Sequence, residues 1–445
     1  MNRFEKLLIS VFFIELAIGG GGRLLEFGPL SIRQLLFVLL LVTFFYRIIR
    51  TKNIFNSEVN TFFSKDTTTI AMYLLLIWIV VSTAIGVLNH HPVSVIAMDM
   101  FRVSFLGLYF PLAYYISNER YKKEWIIEII KWGALFGALL TIGIDITGKF
   151  ILTNNFGDFY VWINNLFQDD LFFRPSRGVF YKSHLFIMFG LIISFHQILN
   201  KKWSFINVAN VLLCTISIIW SETRGLLIAF LGATFFIACI DSYIFVRPIK
   251  GLYSKLKKSF SRPNVQKIIA CMAVLIIVPI FYTQMTQARF PADDATQLNH
   301  NLSTKRKKEI SKENDVSVAT RVYLLDESKK ILTASPKNLI FGTGYGTKIG
   351  NRLTGIEMSF LDIWVEQGII GVILWISVCM LIFLNFNKAY KINLYIDNDN
   401  IGIMACAIAL LLLTNINPFI NNPIGIGFVL FALVVSRNEL NLVKK

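Results

Sequence analysis

Apolar runs of roughly 20 residues recur along almost the whole chain, and this length is what an α-helix needs to cross the hydrocarbon core of a bilayer. Of the 445 residues, 55% are hydrophobic and only 16% are charged. A soluble globular protein of this length does not have such a composition. We therefore predict an all-α, polytopic integral membrane protein in which residues 1–445 form a single membrane domain.

The apolar runs predict twelve membrane spans, each a helix. They lie near residues 7–19, 30–49, 69–88, 98–118, 125–147, 179–200, 203–220, 225–246, 267–287, 359–386, 400–418 and 423–436. The first run follows a basic start and resembles a signal peptide, but because many spans follow it we interpret it as an uncleaved first helix. All five cysteines fall inside apolar runs, which predicts small core residues rather than disulfides or metal ligands.

Basic residues alternate between the two sets of connectors. If the N-terminus is cytoplasmic, one set is basic, for example RIIRTK, NERYKKE and NKKW. The short connectors of the other set, NHHPVSV and NPFINNP, contain no Lys or Arg. This alternation follows the positive-inside rule and predicts that both termini are cytoplasmic. It also accounts for most of the net charge of +16, so no nucleic-acid partner is needed to explain it.

Two connectors of the outer set are long, namely residues 148–178 and residues 288–358, the latter between the ninth and tenth spans. In the second connector, the polar stretch LNHNLSTKRKKEISKENDVS is predicted to be mobile. The segment VATRVYLLDESKKILTASP then predicts an amphipathic helix on the outer membrane surface. Its apolar side chains close to one face are Val318, Val322, Leu325 and Leu332. We interpret the GTGYG that follows as a flexible turn, because a dinucleotide-binding loop needs the strand of a βαβ unit before it.

Cationic residues lie at the predicted outer ends of the spans, against the positive-inside bias, and one more lies in the loop helix. They are Arg33, Arg102, Arg177, Lys182, Arg224 and Arg321. Because guanidinium groups donate bidentate hydrogen bonds to phosphate, arginines from several helices at one level predict an anion site. The alternative is that each cation snorkels or pairs with an acid such as Glu26, Asp99, Asp170 or Glu222. Arg177 in RPSRG and Arg224 in SETRG are favoured for the anion site, since each is predicted to open a helix.

The histidines show no metal-ligand spacing, so we predict no metal site. His184 follows Arg177 in sequence and is a candidate neighbour of the anion site. We favour its interpretation as a packed polar residue. No Ser–His–Asp or Cys–His arrangement is recognisable.

The tenth span enters from the predicted outer face and is longer than the membrane core. At 1.5 Å per residue, residues 357–386 would make a helix of about 45 Å, against a core of ~30 Å, so its first turns lie among the lipid headgroups. One face of this helix carries Glu357, Leu361, Trp364, Gly368 and Gly371. The two glycines allow a close helix neighbour. Glu357 is therefore predicted to point inward, whereas Asp362 and Glu366 point elsewhere and are solvated or paired with lysines.

This layout resembles the bacterial O-antigen polymerase and O-antigen ligase superfamily, membrane glycosyltransferases that act on undecaprenyl-pyrophosphate-linked glycans. The resemblance covers the twelve spans, the large outer loop before a late span, the outer arginines and RVYLLDESKKILTASPKNLIFGTGYG. The ligase pattern is His, a polar residue, nine residues, Gly, two residues and Gly. Its positions are occupied here by Glu357, Met358, Gly368 and Gly371. Because Glu357 and Met358 depart from that pattern, the sequence favours a Wzy-type repeat-unit polymerase of O-antigen or capsule.

The resemblance implies a GT-C-like membrane enzyme of the bacterial inner membrane that needs no metal ion and no cofactor. It implies catalytic roles for Arg177, which would stabilise the leaving pyrophosphate, and for Glu357, which would orient or deprotonate the acceptor hydroxyl. The substrate-binding residues would be Arg33, Arg102, Lys182, Arg224 and Arg321. The implied partners are undecaprenyl-pyrophosphate-linked glycans, membrane lipids, and flippase and chain-length regulator proteins.

Two alternatives stay open at this point. One is the ligase, which transfers the finished glycan to lipid A core. The other is a transporter such as a lipid-linked oligosaccharide flippase. Transporters of this size usually show two similar halves around a central cytoplasmic loop. Here the longest loop is late in the chain and predicted to be external, and no internal repeat is visible.

Overall fold

The computed structural model describes residues 1–22, 26–27, 30–57, 59–174, 176–241, 262–289, 316–353 and 355–444. The first part of the chain forms the helices α1 (Arg3–Ile18), α2 (Ile32–Arg50), α3 (Thr67–Leu88), α4 (Val93–Ser104), α5 (Tyr109–Tyr115), α6 (Lys123–Ile146), α7 (Phe156–Leu166), α8 (His184–Leu199) and α9 (Phe205–Trp220). The second part forms α10 (Arg224–Asp241), α11 (Arg262–Arg289), α12 (Val316–Thr333), α13 (Pro336–Phe341), α14 (Ser359–Asn393), α15 (Asn398–Leu413) and α16 (Pro423–Lys444).

Two small antiparallel hairpins interrupt the helices. Strand β1 (Glu26–Phe27) pairs with β2 (Leu30–Ser31), and β3 (Leu171–Phe173) pairs with β4 (Val179–Tyr181). Both hairpins lie in connectors, one between α1 and α2 and the other between α7 and α8. The prediction of an all-α membrane architecture is therefore confirmed.

Each of the twelve predicted spans coincides with a helix or a broken helix in the described part of the chain. They are α1, α2, α3, the pair α4 and α5, α6, α8, α9, α10, α11, α14, α15 and α16. Seven helical segments among the described residues are long and apolar enough to cross a membrane, while α8, α9, α10 and α15 are shorter apolar helices. The fourth span is broken, with a 3₁₀ turn at Phe105–Leu108 before α5. Pro111 lies in the first turn of α5, where its missing N–H leaves no helical hydrogen bond unmade.

Local signals in the sequence set several helix starts. Asn2 and Glu5 form a capping box at α1, and Ser31 and Gln34 form one at α2. The side chain of Asp66 accepts a hydrogen bond from the Thr69 N–H at the start of α3. These caps satisfy backbone N–H groups that the first turn of each helix leaves without a partner.

One end of the helix bundle holds both chain termini, and we call it the proximal end. Arg47 pairs there with Glu5 at 2.6 Å, which joins the end of α2 to the start of α1. Arg437 of α16 pairs with Asp66 at 2.8 Å, and Lys123 of α6 pairs with Glu439 at 2.7 Å. The opposite end, formed by the connectors α1–α2, α3–α4, α6–α8, α9–α10, α11–α14 and α15–α16, is called the distal end.

The core of the bundle lies around α8 and α16. Almost every residue of α8 is buried, including His184 and the run Leu185–Ile193, and α16 is buried along Phe428–Val435. Peripheral helices such as α3 instead expose large apolar side chains, for example Leu74 and Ile77. A bundle whose apolar residues cover both its core and its outer surface is what a lipid environment requires. All five cysteines are buried, as predicted for small core residues.

Candidate functional site at the distal end

The distal-end connectors contact one another and bring all the predicted site residues to one end of the bundle. The Tyr181 hydroxyl of the β4 strand donates to the carbonyl of Ile18 at 2.6 Å. The Asn89 amide donates to the carbonyl of Thr343 at 2.9 Å, which joins the α3–α4 connector to the loop before α14. The distal end is therefore a continuous polar layer rather than a set of separate loops.

Arg33 and Lys182 fasten the α1–α2 connector to the hairpin before α8. The buried Arg33 guanidinium lies 2.7 Å from the Glu15 carboxylate and also donates to the carbonyl of Gly20 at 3.0 Å. Lys182 pairs with Asp170, which also accepts the N–H of Gly21. Ion pairing, the alternative predicted for these cations, is thus observed for both, although the acid beside Arg33 is Glu15.

Arg102 of α4 lies among three carboxylates inside the protein. Its Nη2 atom is 3.3 Å from Asp362, 3.4 Å from Asp99 and 3.6 Å from Glu366. The prediction that Asp362 and Glu366 are solvated or paired with lysines is wrong, because both are buried against this arginine. A buried guanidinium needs such partners, since an unpaired charge in the interior is strongly unfavourable.

Asp362 joins two further segments to this cluster. Its Oδ1 atom accepts the N–H of Ile356 at 3.2 Å, and its Oδ2 atom accepts the Asn421 amide at 2.8 Å. Ile356 precedes α14, and Asn421 lies in the α15–α16 connector. Gly355 has a φ of +41° and packs against the Arg102 guanidinium. Any other residue here would be strained in that backbone conformation, and its Cβ atom would collide with the guanidinium. Asp362 therefore ties the residue before Glu357 to the start of α14 and to the α15–α16 connector.

The GTGYG segment forms a turn, as predicted, and this turn is hydrogen-bonded to α14. Gly368 interrupts α14 with a φ of +68°, and the carbonyls of Val365 and Glu366 just before it accept the N–H groups of Thr343 at 2.8 Å and Gly344 at 2.9 Å. The turn needs glycine because Gly344 has a φ of +85°.

Tyr345, at the centre of this turn, is completely buried beside the Arg102 cluster. Its N–H donates to the carbonyl of Ser82 at 3.2 Å, while the next N–H, from Gly346, donates to Asp99 at 3.1 Å. Burial raises the pKa of the Tyr345 hydroxyl well above its ordinary value. The turn is thus packed between α3, α4 and α14.

Arg321 of α12 pairs with Glu357, with 3.3 Å between Nη2 and Oε2. The same nitrogen donates to the carbonyl of Ile416 at 3.3 Å. Both side chains keep contact with solvent, since Arg321 is 25% exposed and Glu357 is 38% exposed. The prediction that Glu357 shares a helical face with Gly368 is wrong, because α14 begins only at Ser359 and Gly368 breaks it.

Helix α12 forms as predicted. Leu324, Ser328 and Leu332 are buried against the protein, whereas Val322 and Leu325 of the predicted apolar face are exposed on it. Leu324 and Leu332 pack with residues before and within α14. That the exposed apolar side chains lie on a membrane surface stays a prediction. The polar stretch predicted to be mobile lies almost entirely outside the described residues.

Arg224 opens α10, as predicted. Its guanidinium carbon lies 6.0 Å from the centre of the Tyr282 ring. A Cβ atom on the next residue, Gly225, would lie 3.0 Å from Ile416. Since Arg321 donates to the carbonyl of that same Ile416, the chain segments carrying Arg224 and Arg321 meet at one residue of the α15–α16 connector.

Arg177 does not open a helix, so that prediction is wrong. It lies in the turn between β3 and β4 with a φ of +67°, donates to the carbonyl of Gly148 at 3.2 Å and lies 4.9 Å from the centre of the Phe156 ring. Sequence reasoning missed its neighbour Arg174, which donates to the Thr223 hydroxyl at 3.2 Å, immediately before Arg224. The pentapeptide RPSRG contains both arginines, so the same sequence signal that indicated Arg177 could also have indicated Arg174.

His184 is a packed polar residue, as favoured from the sequence. It is fully buried, and its Nδ1 atom accepts the N–H of Tyr181 at 3.0 Å. Its other ring nitrogen lies 3.2 Å from the hydroxyl of Ser217 on α9. These bonds hold the start of α8 against α9.

The fold and this layer define a polytopic helical membrane protein with arginines and carboxylates gathered at one end of its bundle. A family model described as O-antigen ligase matches residues 209–376, which include Arg224, Arg321 and Glu357. The chain is 28% identical over 437 residues to a protein named O-antigen polymerase from Shigella flexneri, covering 96% of this chain and 94% of that protein. These similarities confirm the resemblance to the O-antigen polymerase and ligase superfamily.

Proposed function

We propose that this protein polymerises lipid-linked oligosaccharide repeat units of O-antigen or capsular polysaccharide. It would transfer the growing glycan from undecaprenyl pyrophosphate to a sugar hydroxyl of a new repeat unit, with the distal end at the outer face of the inner membrane. The similarity to an O-antigen polymerase along 96% of the chain carries this proposal. Flippase and chain-length regulator proteins are the expected partners.

Arg177, Arg224 and Arg321 are the proposed pyrophosphate ligands. They lie in or next to three different connectors, and each side chain is only partly buried. Lys182 is also a candidate for contact with the substrate, because 42% of its side chain is exposed. For Arg33 and Arg102 we propose a positioning role instead, since Glu15 pairs with the buried Arg33 and three carboxylates lie around Arg102.

Glu357 is the proposed acceptor-side carboxylate. In the transfer, the acceptor hydroxyl oxygen would bond to the anomeric carbon of the donor glycan, and the bond from that carbon to the pyrophosphate oxygen would break. Glu357 would orient the hydroxyl and take up its proton, while the arginines neutralise the charge on the departing undecaprenyl pyrophosphate. Because guanidinium groups supply this neutralisation, the proposed reaction requires no metal ion.

The ligase is the second candidate, favoured by the description of the family model that matches residues 209–376. Two observations favour the polymerase over it. The relative named O-antigen polymerase aligns along almost the whole chain. In addition, Glu357 and Met358 occupy the His and polar positions of the ligase pattern.

Deleting this protein from its host and analysing the surface glycan would test the proposal. A strain without a polymerase should carry single repeat units on lipid A core, and returning the wild-type protein should restore long chains. Long chains that accumulate on the lipid carrier after deletion would instead identify a ligase and contradict the proposal.

A further inference from the structure

An open groove of about 660 Å³ lies at the distal end, beside the proposed site. One wall is the exposed side of α12, with Tyr323 and Asp326, and the other wall is formed by Asn351 and Arg352. Leu324 contributes the apolar floor. The volume is within the range of small-molecule binding sites in proteins.

The two walls are held in place without a ligand. Ile349 and Arg352 exchange backbone hydrogen bonds of 3.0 and 2.9 Å, which closes a tight turn and fixes the position of Asn351. Gly350 in this turn has a φ of +56° and packs so closely on Tyr323 that a Cβ atom would lie 2.8 Å from its ring. Tyr323 nevertheless remains 44% exposed, so part of its ring faces the groove.

The lining combines an aromatic ring with a carboxylate, an amide and a guanidinium. Sugar hydroxyls both donate and accept hydrogen bonds, and these three planar side chains offer accepting and donating atoms side by side. The C–H faces of a sugar ring are apolar and suit an exposed aromatic face. Asp326 and Arg352 carry opposite charges, which favours a neutral or mixed polar ligand over a simple anion.

One buried cluster connects the groove with the chain segment that carries the proposed reacting carboxylate. Leu324, which lines the groove, belongs to this cluster together with Ile356 and Met358, the residues on either side of Glu357. Arg321 precedes Leu324 by one turn on the same helix. The groove and the Arg321–Glu357 pair are therefore parts of one packed unit at the distal end.

We propose that this groove is a saccharide subsite that holds the sugars of a repeat unit, an assignment that rests on the proposed function. The sugars would belong either to the acceptor unit or to the donor chain, and both present the same hydroxyl and C–H chemistry. The groove would fix the position of the glycan relative to Glu357 and contribute to specificity for the repeat unit.

The binding test uses the repeat-unit oligosaccharide of the host, released from its lipid, and the full-length protein in nanodiscs. Saturation-transfer NMR should detect binding to the wild type. Tyr323→Ala should weaken that binding about tenfold, whereas Tyr323→Phe, which keeps the ring, should bind almost normally. Asn351→Ala tests the opposite wall. Leu325→Ala is the matched control, because Leu325 is an exposed residue of α12 outside the groove.

Kinetic measurements then distinguish the two sources of the sugar. Tyr323→Ala should raise KM for the lipid-linked single unit if the groove holds the acceptor, or KM for the lipid-linked chain if it holds the donor, with kcat little changed. If Tyr323→Ala and Asn351→Ala both bind the oligosaccharide as tightly as the wild-type protein does, and both keep its KM values, the subsite assignment is overturned. If these variants lose binding but the wild type makes no polymer, the proposed function fails and the subsite stands.

Discussion

Arg321 and Glu357 form an ion pair at the distal end, although one lies on α12 and the other precedes α14. The pair remains partly exposed, and Arg321 also contacts the α15–α16 connector through the carbonyl of Ile416. A guanidinium and a carboxylate are thus held side by side, and both side chains are partly exposed to solvent. This arrangement suits a transfer reaction in which a phosphate leaves and a hydroxyl enters.

Glu357→Gln should reduce polymerisation by about a hundredfold, because it keeps the shape of the side chain and removes its negative charge. Donor binding should stay nearly unchanged if the carboxylate acts mainly in the transition state. Glu357→Asp should retain part of the activity. Chain length, protein abundance and donor binding are measured together. Weakened donor binding with low abundance would instead show that Glu357 serves only as the structural partner of Arg321.

Arg321→Ala and Arg224→Ala should each lower polymerisation by about a hundredfold at normal protein abundance, since each removes a donor to the leaving pyrophosphate. Replacement by Lys should restore activity only in part, because Lys keeps the charge but loses the two-pronged geometry. Arg50 is an exposed arginine at the proximal end, so Arg50→Ala is the control and should leave polymerisation unchanged. Full activity in both alanine variants would contradict the proposed pyrophosphate site.

Asp362→Asn should destabilise the protein by about 1–3 kcal/mol, because the new amide NH2 group cannot accept the hydrogen bond from Asn421, while Asp99 and Glu366 remain as partners of Arg102. Thermal unfolding in detergent measures this loss. Polymerisation should fall as well, since Asp362 fixes Ile356 next to Glu357 and holds Asn421 in the neighbouring connector. Asp158→Asn on the exposed side of α7 is the control. From the sequence alone Asp362 was expected to be solvated or paired with a lysine, so unchanged stability would favour that interpretation over the buried cluster.

Tyr345→Phe should leave stability unchanged or slightly improved, because the buried Tyr345 hydroxyl has no hydrogen-bond partner among the described residues. Tyr345→Ala should instead cost about 3–5 kcal/mol, as expected when a large aromatic side chain is deleted from a core. Unfolding curves of the two variants give the comparison. A large loss in Tyr345→Phe would show that the hydroxyl has a polar role that the packing does not reveal.

The apolar pattern was sufficient to predict the bundle, because a membrane span must be both long and apolar. The twelve predicted segments all correspond to helices, and the helix start at Arg224 was also correct. The loop helix α12 was recognised, but the side chains that it packs against the protein could not be predicted, since the neighbouring segment decides which side is covered. Leu324 packs next to Ile349 and Ile356, and no local period in the sequence contains that information.

The errors around α14 have one physical cause. A continuous helix from Glu357 was assumed, whereas the helix begins at Ser359 and is interrupted at Gly368 by a positive φ. In the observed helix, the side chains of Asp362 and Glu366 face the interior of the protein, where Arg102 from α4 pairs with them. A pairing across such a sequence distance cannot be read from local spacing. The six candidate cations were found at one end of the bundle. Two of the acids named from the sequence, Asp99 and Asp170, pair with Arg102 and Lys182, whereas Glu15, the partner of Arg33, was not foreseen.

Reconstitution tests the central claim most directly. The purified protein is placed in liposomes with undecaprenyl-pyrophosphate-linked single repeat units as the added glycan substrate, and the lipid-linked products are separated by size. The account predicts a ladder of longer glycans on the lipid carrier, formed without lipid A core and strongly reduced in Glu357→Gln. Glycan transfer that occurs only when lipid A core is added, with no ladder in its absence, would contradict it.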